Sequence, residues 1–477
     1  MKENVIQDTR KTENDVQAEE VRTSQDDTHP KNVQASKHSI SRLKLIQAVF
    51  ETGLIITGLI AMRQLLPRQL FGDGALRYYA LSDLLQKGIV SHISYSFVGP
   101  LFAVPLWELG YISHTHESWT LQFNLFIFSG SLFVLYWSLK DRIDRSLIRK
   151  FLLILIAASM FANHLMYFYG EVFTALSVSI GLLLAITRRS TFGWFAVILG
   201  VVNTPASILG LGLVTLKQML ESKRLRYMLV FLVALGLILS ESWLRRGSPF
   251  KSGYEGDRGG FNNPFFFGLI AILFSFGKGI FYFAPGLLLP IKKTILSMWH
   301  EKRQEIYRVY VLWIYFLVGL ILIYSSWWAW YGGWFWGPRF FLIASIPASF
   351  ALAVRLHYRN VSLALNLLTA FVLCLSVWVG IDGAIYGSKG LGICITNGYK
   401  LETLCHYTIY YSVLWHPFFD QRLSFNHLLW WQELYAFYCL AVFAYLGFPL
   451  LVTLLEQTQT VLKNFAKAYL SVNWWRF

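Results

Sequence analysis

The stretch VYVLWIYFLVGLILIYSSWWAW (309–330) contains no charged side chain. About 20 apolar residues in a helix cross the roughly 30 Å hydrocarbon core of a bilayer, so this stretch predicts a transmembrane helix. Similar runs recur along most of the chain and are continuously apolar, which disfavours a β-barrel. The predicted fold is therefore all-α and polytopic, with about 12 transmembrane helices near residues 44–66, 119–139, 151–169, 172–187, 192–202, 204–219, 227–244, 265–291, 309–330, 340–355, 360–381 and 433–455.

The composition of the chain supports an integral membrane protein. Of 477 residues, 55% are hydrophobic, 17% aromatic and only 14% charged. A soluble protein of this size would expose far more charge. The formal net charge of +15 would indicate nucleic acid as a partner of a soluble protein. In a membrane protein it reflects lysine and arginine in cytoplasmic loops, so no nucleic-acid partner is expected.

Loop charge predicts the orientation of the helices. The basic segments 139–150, 187–190, 223–226, 292–303 and 355–359 are expected in the cytoplasm, together with both chain termini. The segments 67–118, 245–264 and 382–432 then lie outside. We expect a multi-pass protein of the bacterial inner (plasma) membrane. Only the region 192–219 stays open, as two short helices or one re-entrant element, with Asn203-Thr204-Pro205 at its middle.

Four regions are expected along the chain. Residues 1–41 are polar and predict a disordered cytoplasmic segment. Residues 42–381 form the transmembrane core. Residues 382–432 form an outer loop, and residues 433–477 contain the last transmembrane helix and a cytoplasmic tail.

Two acidic residues are candidates for the chemistry. Asp73 lies in FGDGALRYYALSDLL (71–85), which predicts a short helix in the membrane interface. Asp73 either caps that helix or acts as a base, and the two roles can coexist. Glu171 begins the fourth spanning helix, where it either favours the helix N-terminus electrostatically or orients a sugar.

The positive-inside rule does not account for the basic residues on the predicted outer side. Placing a cation in or beside a membrane costs free energy, so such a side chain usually contacts a group that binds it. An anionic ligand, such as a lipid-linked phosphate, would account for them. The alternative is pairing with Glu255, Asp257 or lipid headgroups. The candidates are Arg77, Arg258, Lys278 and Arg339, with Tyr78 beside the first of them.

Histidine and cysteine residues give further expectations. His92, His114 and His116 are close in sequence, but no additional ligands of a metal site can be identified, so no cofactor is predicted. Cys394 and Cys405 share the last outer loop. That loop faces an oxidising compartment, so a disulfide between them is predicted.

Three stretches together resemble the GT-C superfamily of membrane glycosyltransferases, and in particular bacterial proteins related to protein O-mannosyltransferases and lipid A aminoarabinose transferases. The first is Asp73 followed by Arg77-Tyr78-Tyr79. The second is the tyrosine-rich stretch that leads to Glu171. The third is the pair SFGKGIFYFAPG (275–286) and WYGGWFWGPRFFLIASIP (330–347). The likeness covers residues 44–355.

The resemblance implies a polyprenyl-phosphate-linked sugar as donor and an acid in the first outer loop as general base. The acceptor would be a lipid, glycan or protein on the outer face. The common pattern has two adjacent acids in this loop, whereas here Gly74 follows Asp73. A divalent metal therefore stays possible but unsupported.

Two rival interpretations remain open at this level. A transporter or flippase of a polyprenyl-linked glycan or lipid would also place charges in the membrane and break helices there. A membrane acyltransferase or another lipid-modifying enzyme would use His164 as its base. The clustering of acids and long loops on one predicted face favours glycosyl transfer.

Overall fold

The computed structural model describes residues 30–254, 260–298, 303–396, 398–419 and 428–473. The chain divides into two compact units, Met1–Phe50 and Glu51–Phe477. Of the first unit the structure describes the helical residues 30–50. The side-chain contacts described below lie within the second unit.

The regular elements of the described residues are helices. The first half comprises α1 (Pro30–Leu65), α2 (Gly72–Lys87), α3 (Val98–Phe102), α4 (Val104–Ile112), α5 (His116–Leu121), α6 (Phe123–Leu139), α7 (Arg145–Ala157), α8 (Phe161–His164), α9 (Gly170–Thr187), α10 (Thr191–Asn203), α11 (Ile208–Ser222) and α12 (Arg226–Arg246). The second half comprises α13 (Phe265–Phe274), α14 (Ile280–Phe283), α15 (Lys292–Ser297), α16 (Arg303–Ser325), α17 (Ser345–His357), α18 (Leu363–Ile385), α19 (Gly392–Ile395), α20 (Glu402–Tyr407) and α21 (Trp430–Asn473). Short 3₁₀ turns connect them at Pro205–Ser207, Pro285–Leu288, Arg339–Ala344, Gly387–Leu391 and His416–Phe418.

Eight helical segments within the described residues are long and apolar enough to cross a membrane. They are Arg42–Leu65, His116–Leu139, Gly170–Thr187, Arg226–Arg246, Gln304–Ser325, Arg339–His357, Leu363–Ile385 and Trp430–Tyr469. Two shorter apolar helices, Thr191–Asn203 and Phe265–Phe274, add to these. The predicted all-α, multi-pass membrane architecture is thus confirmed.

Several predicted spans are interrupted. The predicted span 265–291 is wrong as a single helix, because α13 ends at Phe274 and only short turns follow. The N–H of Gly277 donates to the carbonyl of His406 (3.1 Å), which takes it out of helical hydrogen bonding. The predicted span 151–169 is likewise divided, since α7 ends at Ala157 and α8 begins at Phe161.

The region 192–219 forms two helices, α10 and α11, with the break at the predicted Asn203-Thr204-Pro205. The side chain of Asn203 fixes this break. Its Nδ2 donates to the carbonyl of Gly170 (2.8 Å), and its Oδ1 accepts from the N–H of Gly99 (2.9 Å). These bonds hold the first turn of α9, which carries Glu171, against the first turn of α3.

The chain before α2 runs along the segment that leads into α9. The N–H of Gln69 donates to the carbonyl of Met166 (3.0 Å), and Gln69 forms an isolated parallel bridge with Tyr167. The starts of α2 and α9 are therefore side by side. This pairing places Asp73 close to Glu171.

Candidate active site

Arg339 joins the two acidic candidates. Its Nη2 lies 2.5 Å from Oδ2 of Asp73, and its Nη1 lies 3.7 Å from Oε1 of Glu171. The side chains are largely enclosed, with 6% of Arg339, 13% of Asp73 and 11% of Glu171 exposed. Three residues that were selected independently from distant parts of the sequence thus form one cluster.

The two carboxylates lie at helix N-termini. Asp73 is in the first turn of α2, whereas the N-cap residue is Phe71 and makes no side-chain cap hydrogen bond. The interpretation of Asp73 as the helix cap is therefore wrong. Glu171 is in the first turn of α9. The positive end of each helix dipole favours a carboxylate there.

Arg339 retains hydrogen-bonding capacity that the described residues do not use. Its guanidinium carbon lies 4.1 Å from the centre of the Phe335 ring, so the group packs against an aromatic face. Nη2 contacts Asp73, but Nε and Nη1 have no hydrogen-bond partner in the part of the chain that the structure describes. A buried guanidinium with two unsatisfied nitrogens is suited to an additional anion.

Two phenols face Asp73. Tyr95 and Tyr254 are both close enough to Asp73 to feel its charge. Burial, and next the charge of Asp73, raise the pKa of Tyr95 well above its usual value and the pKa of Tyr254 to about 12. Both hydroxyls therefore stay protonated near neutral pH and can act as donors.

Arg77 is buried beside Tyr95. It is 5% exposed, and its Nη1 donates to the carbonyl of Ser96 (3.1 Å). Its guanidinium carbon lies 4.9 Å from the centre of the Tyr95 ring. Arg77 therefore positions Tyr95, which in turn lies close to Asp73.

Lys278 is close to the cluster but its ammonium is occupied. It is 2% exposed and donates to three backbone carbonyls, those of Gly333 (3.0 Å), Phe335 (2.5 Å) and Gly337 (3.1 Å). An ammonium has three donors, so none is left for a phosphate. Lys278 fixes the loop before Arg339, hereafter the aromatic loop (331–338).

The aromatic loop has a second anchor that the sequence analysis missed. Asp382 near the end of α18 is fully buried, and its Oδ2 accepts a hydrogen bond from Nε1 of Trp336 (2.7 Å). The signal in the sequence was a lone acid inside an apolar helix, which is costly in a membrane unless it has a partner. The sequence predicts Asp382 in the outer loop 382–432, whereas it lies inside α18, which ends at Ile385.

Two further candidates lie elsewhere. Tyr78 is 9% exposed and belongs to an apolar cluster with Trp107, Phe123 and Phe168, so its ring packs in the protein interior. Arg258 and its possible partners Glu255 and Asp257 lie outside the described residues.

The segment 386–419 packs beside the aromatic loop. Cys394 and Cys405 form the predicted disulfide. Burial raises the pKa of Glu402, which lies close to Tyr331, and the rings of Trp334 and Tyr399 stack at 3.9 Å. Among the described residues there is no group of three metal-ligating side chains.

Comparisons with known proteins include a structural likeness. No family model matches the chain, and no curated protein matches it. Among solved structures, the chain is similar to the crystal structure of ArnT from Cupriavidus metallidurans bound to undecaprenyl phosphate. The match has 12% sequence identity and a TM-score of 0.45, and covers 86% of this chain and 77% of that one. At this identity and TM-score the likeness assigns no activity, ligand or residue role.

Proposed function

We propose that the chain is a membrane glycosyltransferase that moves a sugar from a polyprenyl-phosphate-linked donor to a nucleophile, such as a hydroxyl, on a lipid, glycan or protein at the outer face of the membrane. The observation that carries the proposal is the contact of Arg339 with Asp73 and Glu171. It combines a carboxylate that can accept a proton with a guanidinium that can bind a phosphate, in a largely enclosed site. Substrates of this class need both groups.

The reaction would be a direct displacement at the anomeric carbon. The acceptor oxygen forms a bond to that carbon while the bond from the carbon to the phosphate oxygen breaks. The electron pair of the broken bond stays on the lipid phosphate, and the acceptor proton passes to the carboxylate of Asp73. No nucleotide is needed, because the membrane supplies the activated sugar.

Arg339 would hold the leaving phosphate. Its Nε and Nη1 lack partners among the described residues, and they can donate to phosphate oxygens as charge develops there. Because the guanidinium also contacts Asp73, the base and the leaving group would be positioned by one side chain. Glu171 would accept hydrogen bonds from sugar hydroxyls, and Tyr95 would keep Asp73 oriented.

The test compares Asp73→Asn with the parent in two assays. Transfer is measured by mass spectrometry of surface glycans, glycolipids and glycoproteins, where the sugar unit that disappears without the gene defines the readout. We expect transfer by Asp73→Asn to fall by at least about 10²-fold, the usual scale for a lost general base. Binding of a sugar-free polyprenyl phosphate to the purified protein should be retained, because Arg339 keeps its charge.

A matched control is available on the same helix. Asp83 is 40% exposed and pairs with Lys87 at 2.7 Å, so Asp83→Asn makes the same chemical change away from the cluster. It should transfer and bind normally. Near-normal transfer by Asp73→Asn would remove the proposed base. Parallel loss of transfer and lipid binding would make Asp73 a structural partner of Arg339.

A further inference from the structure

A cavity of about 460 Å³ lies at the other end of α9 from Glu171. Ala185 and Ile186 in the last turns of α9 line it, together with residues of α10, α11, α12 and α16. At about 1.5 Å of rise per residue, Ala185 is about 21 Å along the helix from Glu171. The cavity is therefore separate from the candidate active site.

The charged side chains that line this cavity are all positive. Arg308 is partly balanced, because its Nε lies 3.1 Å from Oε2 of Glu221. The other arginines form no ion pair within the part of the chain that the structure describes, and no acidic residue of that part lines the cavity. The arginines that line it are Arg189, Arg224, Arg226 and Arg308.

A buried donor also faces this cavity. Gln218 lines it and is fully buried, and its Oε1 accepts a hydrogen bond from Nη2 of Arg308 (2.5 Å). Its Nε2 has no hydrogen-bond partner among the described residues. Leaving a buried N–H unsatisfied costs stability, and a ligand with acceptor oxygens would remove that cost. The positive-inside rule explains exposed arginines in this loop, but it does not explain this donor.

The surrounding helices add to the preference for an anion. Thr191 begins α10 and Arg226 begins α12, and neither N-cap residue makes a side-chain hydrogen bond to its helix. Backbone N–H groups and the helix dipole both favour an anion at such ends. The rings of Trp194 and Tyr227 pack edge to face at 5.4 Å and form an apolar wall.

We propose that this cavity binds a phosphate group. The source of the phosphate is either the headgroup of an anionic membrane lipid or free phosphate, since both present the same oxygens. The candidate membrane span α9 ends at this cavity, and the candidate span α12 begins there. A lipid headgroup could therefore reach the cavity from the membrane surface, and an aromatic wall suits that position.

The test uses the purified full-length protein and the variant Gln218→Glu. This change is nearly isosteric and keeps an acceptor for Arg308, but it replaces the unsatisfied donor by a carboxylate oxygen. Binding of phosphatidylglycerol, of phosphatidylcholine with the same acyl chains, and of inorganic phosphate is measured by native mass spectrometry. Loss of one hydrogen bond to a charged group predicts binding at least about tenfold weaker than in the parent.

Arg188→Gln provides the matched control. It lowers the net charge by one, as Gln218→Glu does, but Arg188 donates to the carbonyl of Trp137 and does not line the cavity. We expect its binding to stay within about twofold of the parent, since an exposed charge outside the site is screened by salt. If Gln218→Glu folds poorly, the exposed Arg224→Gln tests the same cavity from its rim.

The outcomes separate the sources of the phosphate. Preference for phosphatidylglycerol over phosphatidylcholine that Gln218→Glu abolishes supports the site and identifies a lipid headgroup. Binding of inorganic phosphate with the same dependence on Gln218 and no lipid preference supports the site with free phosphate as ligand. If the parent, Gln218→Glu and Arg224→Gln bind phosphatidylglycerol equally well, and also bind inorganic phosphate equally well, the proposal is overturned.

Discussion

Replacing Arg339 by lysine tests whether the guanidinium itself, rather than its charge, holds the donor phosphate. The guanidinium carbon lies 4.1 Å from the centre of the Phe335 ring, Nη2 contacts Asp73 at 2.5 Å, and Nη1 lies 3.7 Å from Glu171. A lysine ammonium is a single point of charge on a flexible stem. It can keep one carboxylate contact, but it cannot also present a planar pair of donors to a phosphate.

The size of the effect follows from the contacts that are lost. One hydrogen bond between charged groups contributes about 1.5–3 kcal/mol. Arg339→Lys should therefore lose about 2 kcal/mol, which weakens binding of a polyprenyl phosphate about 30-fold.

The assay is binding of a sugar-free polyprenyl phosphate to purified protein in detergent, alongside thermal unfolding. Arg355→Lys is the matched control, because Arg355 lies near the other end of the following helix α17 and is 4% exposed, close to the 5% of Arg339. The control should bind like the parent. Binding by Arg339→Lys within about threefold of the parent would show that the phosphate does not contact this guanidinium.

Three further predictions concern the supports of the site and its side of the membrane. Lys278→Met should lower both thermal stability and transfer, and a higher donor concentration should not restore transfer. A defect in lipid binding alone, with unchanged stability, would instead indicate that Lys278 contacts the phosphate directly. Asp382→Asn should keep transfer within about threefold, because an amide oxygen still accepts from Trp336; a large loss would mean that the negative charge is required. In a background without the free cysteines, Asp83→Cys should react with an impermeant thiol reagent in intact cells and Lys292→Cys only after permeabilisation; the reverse pattern would invert the proposed topology.

The fold was largely predictable, because in a membrane the length of an apolar run nearly determines the element. Most predicted spans correspond to helices, and the break at Asn203-Thr204-Pro205 was marked by the proline itself. The failure at 265–291 occurs where a backbone hydrogen bond leaves the helix for a distant partner. Gly277 donates to His406, which is far away in sequence, so no local pattern could reveal where α13 ends.

The sequence predicts which residue types form the site, but it does not predict their contacts with one another. Asp73, Glu171 and Arg339 were each conspicuous as charges in apolar surroundings. Their mutual contact depends on the pairing of Gln69 with Tyr167 and on the path of the aromatic loop, both of which are tertiary features. Lys278 shows the same limit, since a buried cation signals a partner but not whether that partner is a ligand or the backbone.

The aromatic loop explains why these supporting residues matter for function. Gly332, Gly333 and Gly337 have φ values of 76°, 78° and 64°, a region that other residues rarely adopt. Such a backbone has no regular hydrogen bonds of its own, so its carbonyls need other donors. Lys278 supplies them from one side, and the bond between Trp336 and Asp382 fixes the loop from another. Phe335 is thereby held in place, and it is the surface on which the guanidinium of Arg339 lies. A site with the proposed function would gain from donors fixed before the reaction, and Lys278 and Asp382 would provide this through their bonds to the aromatic loop.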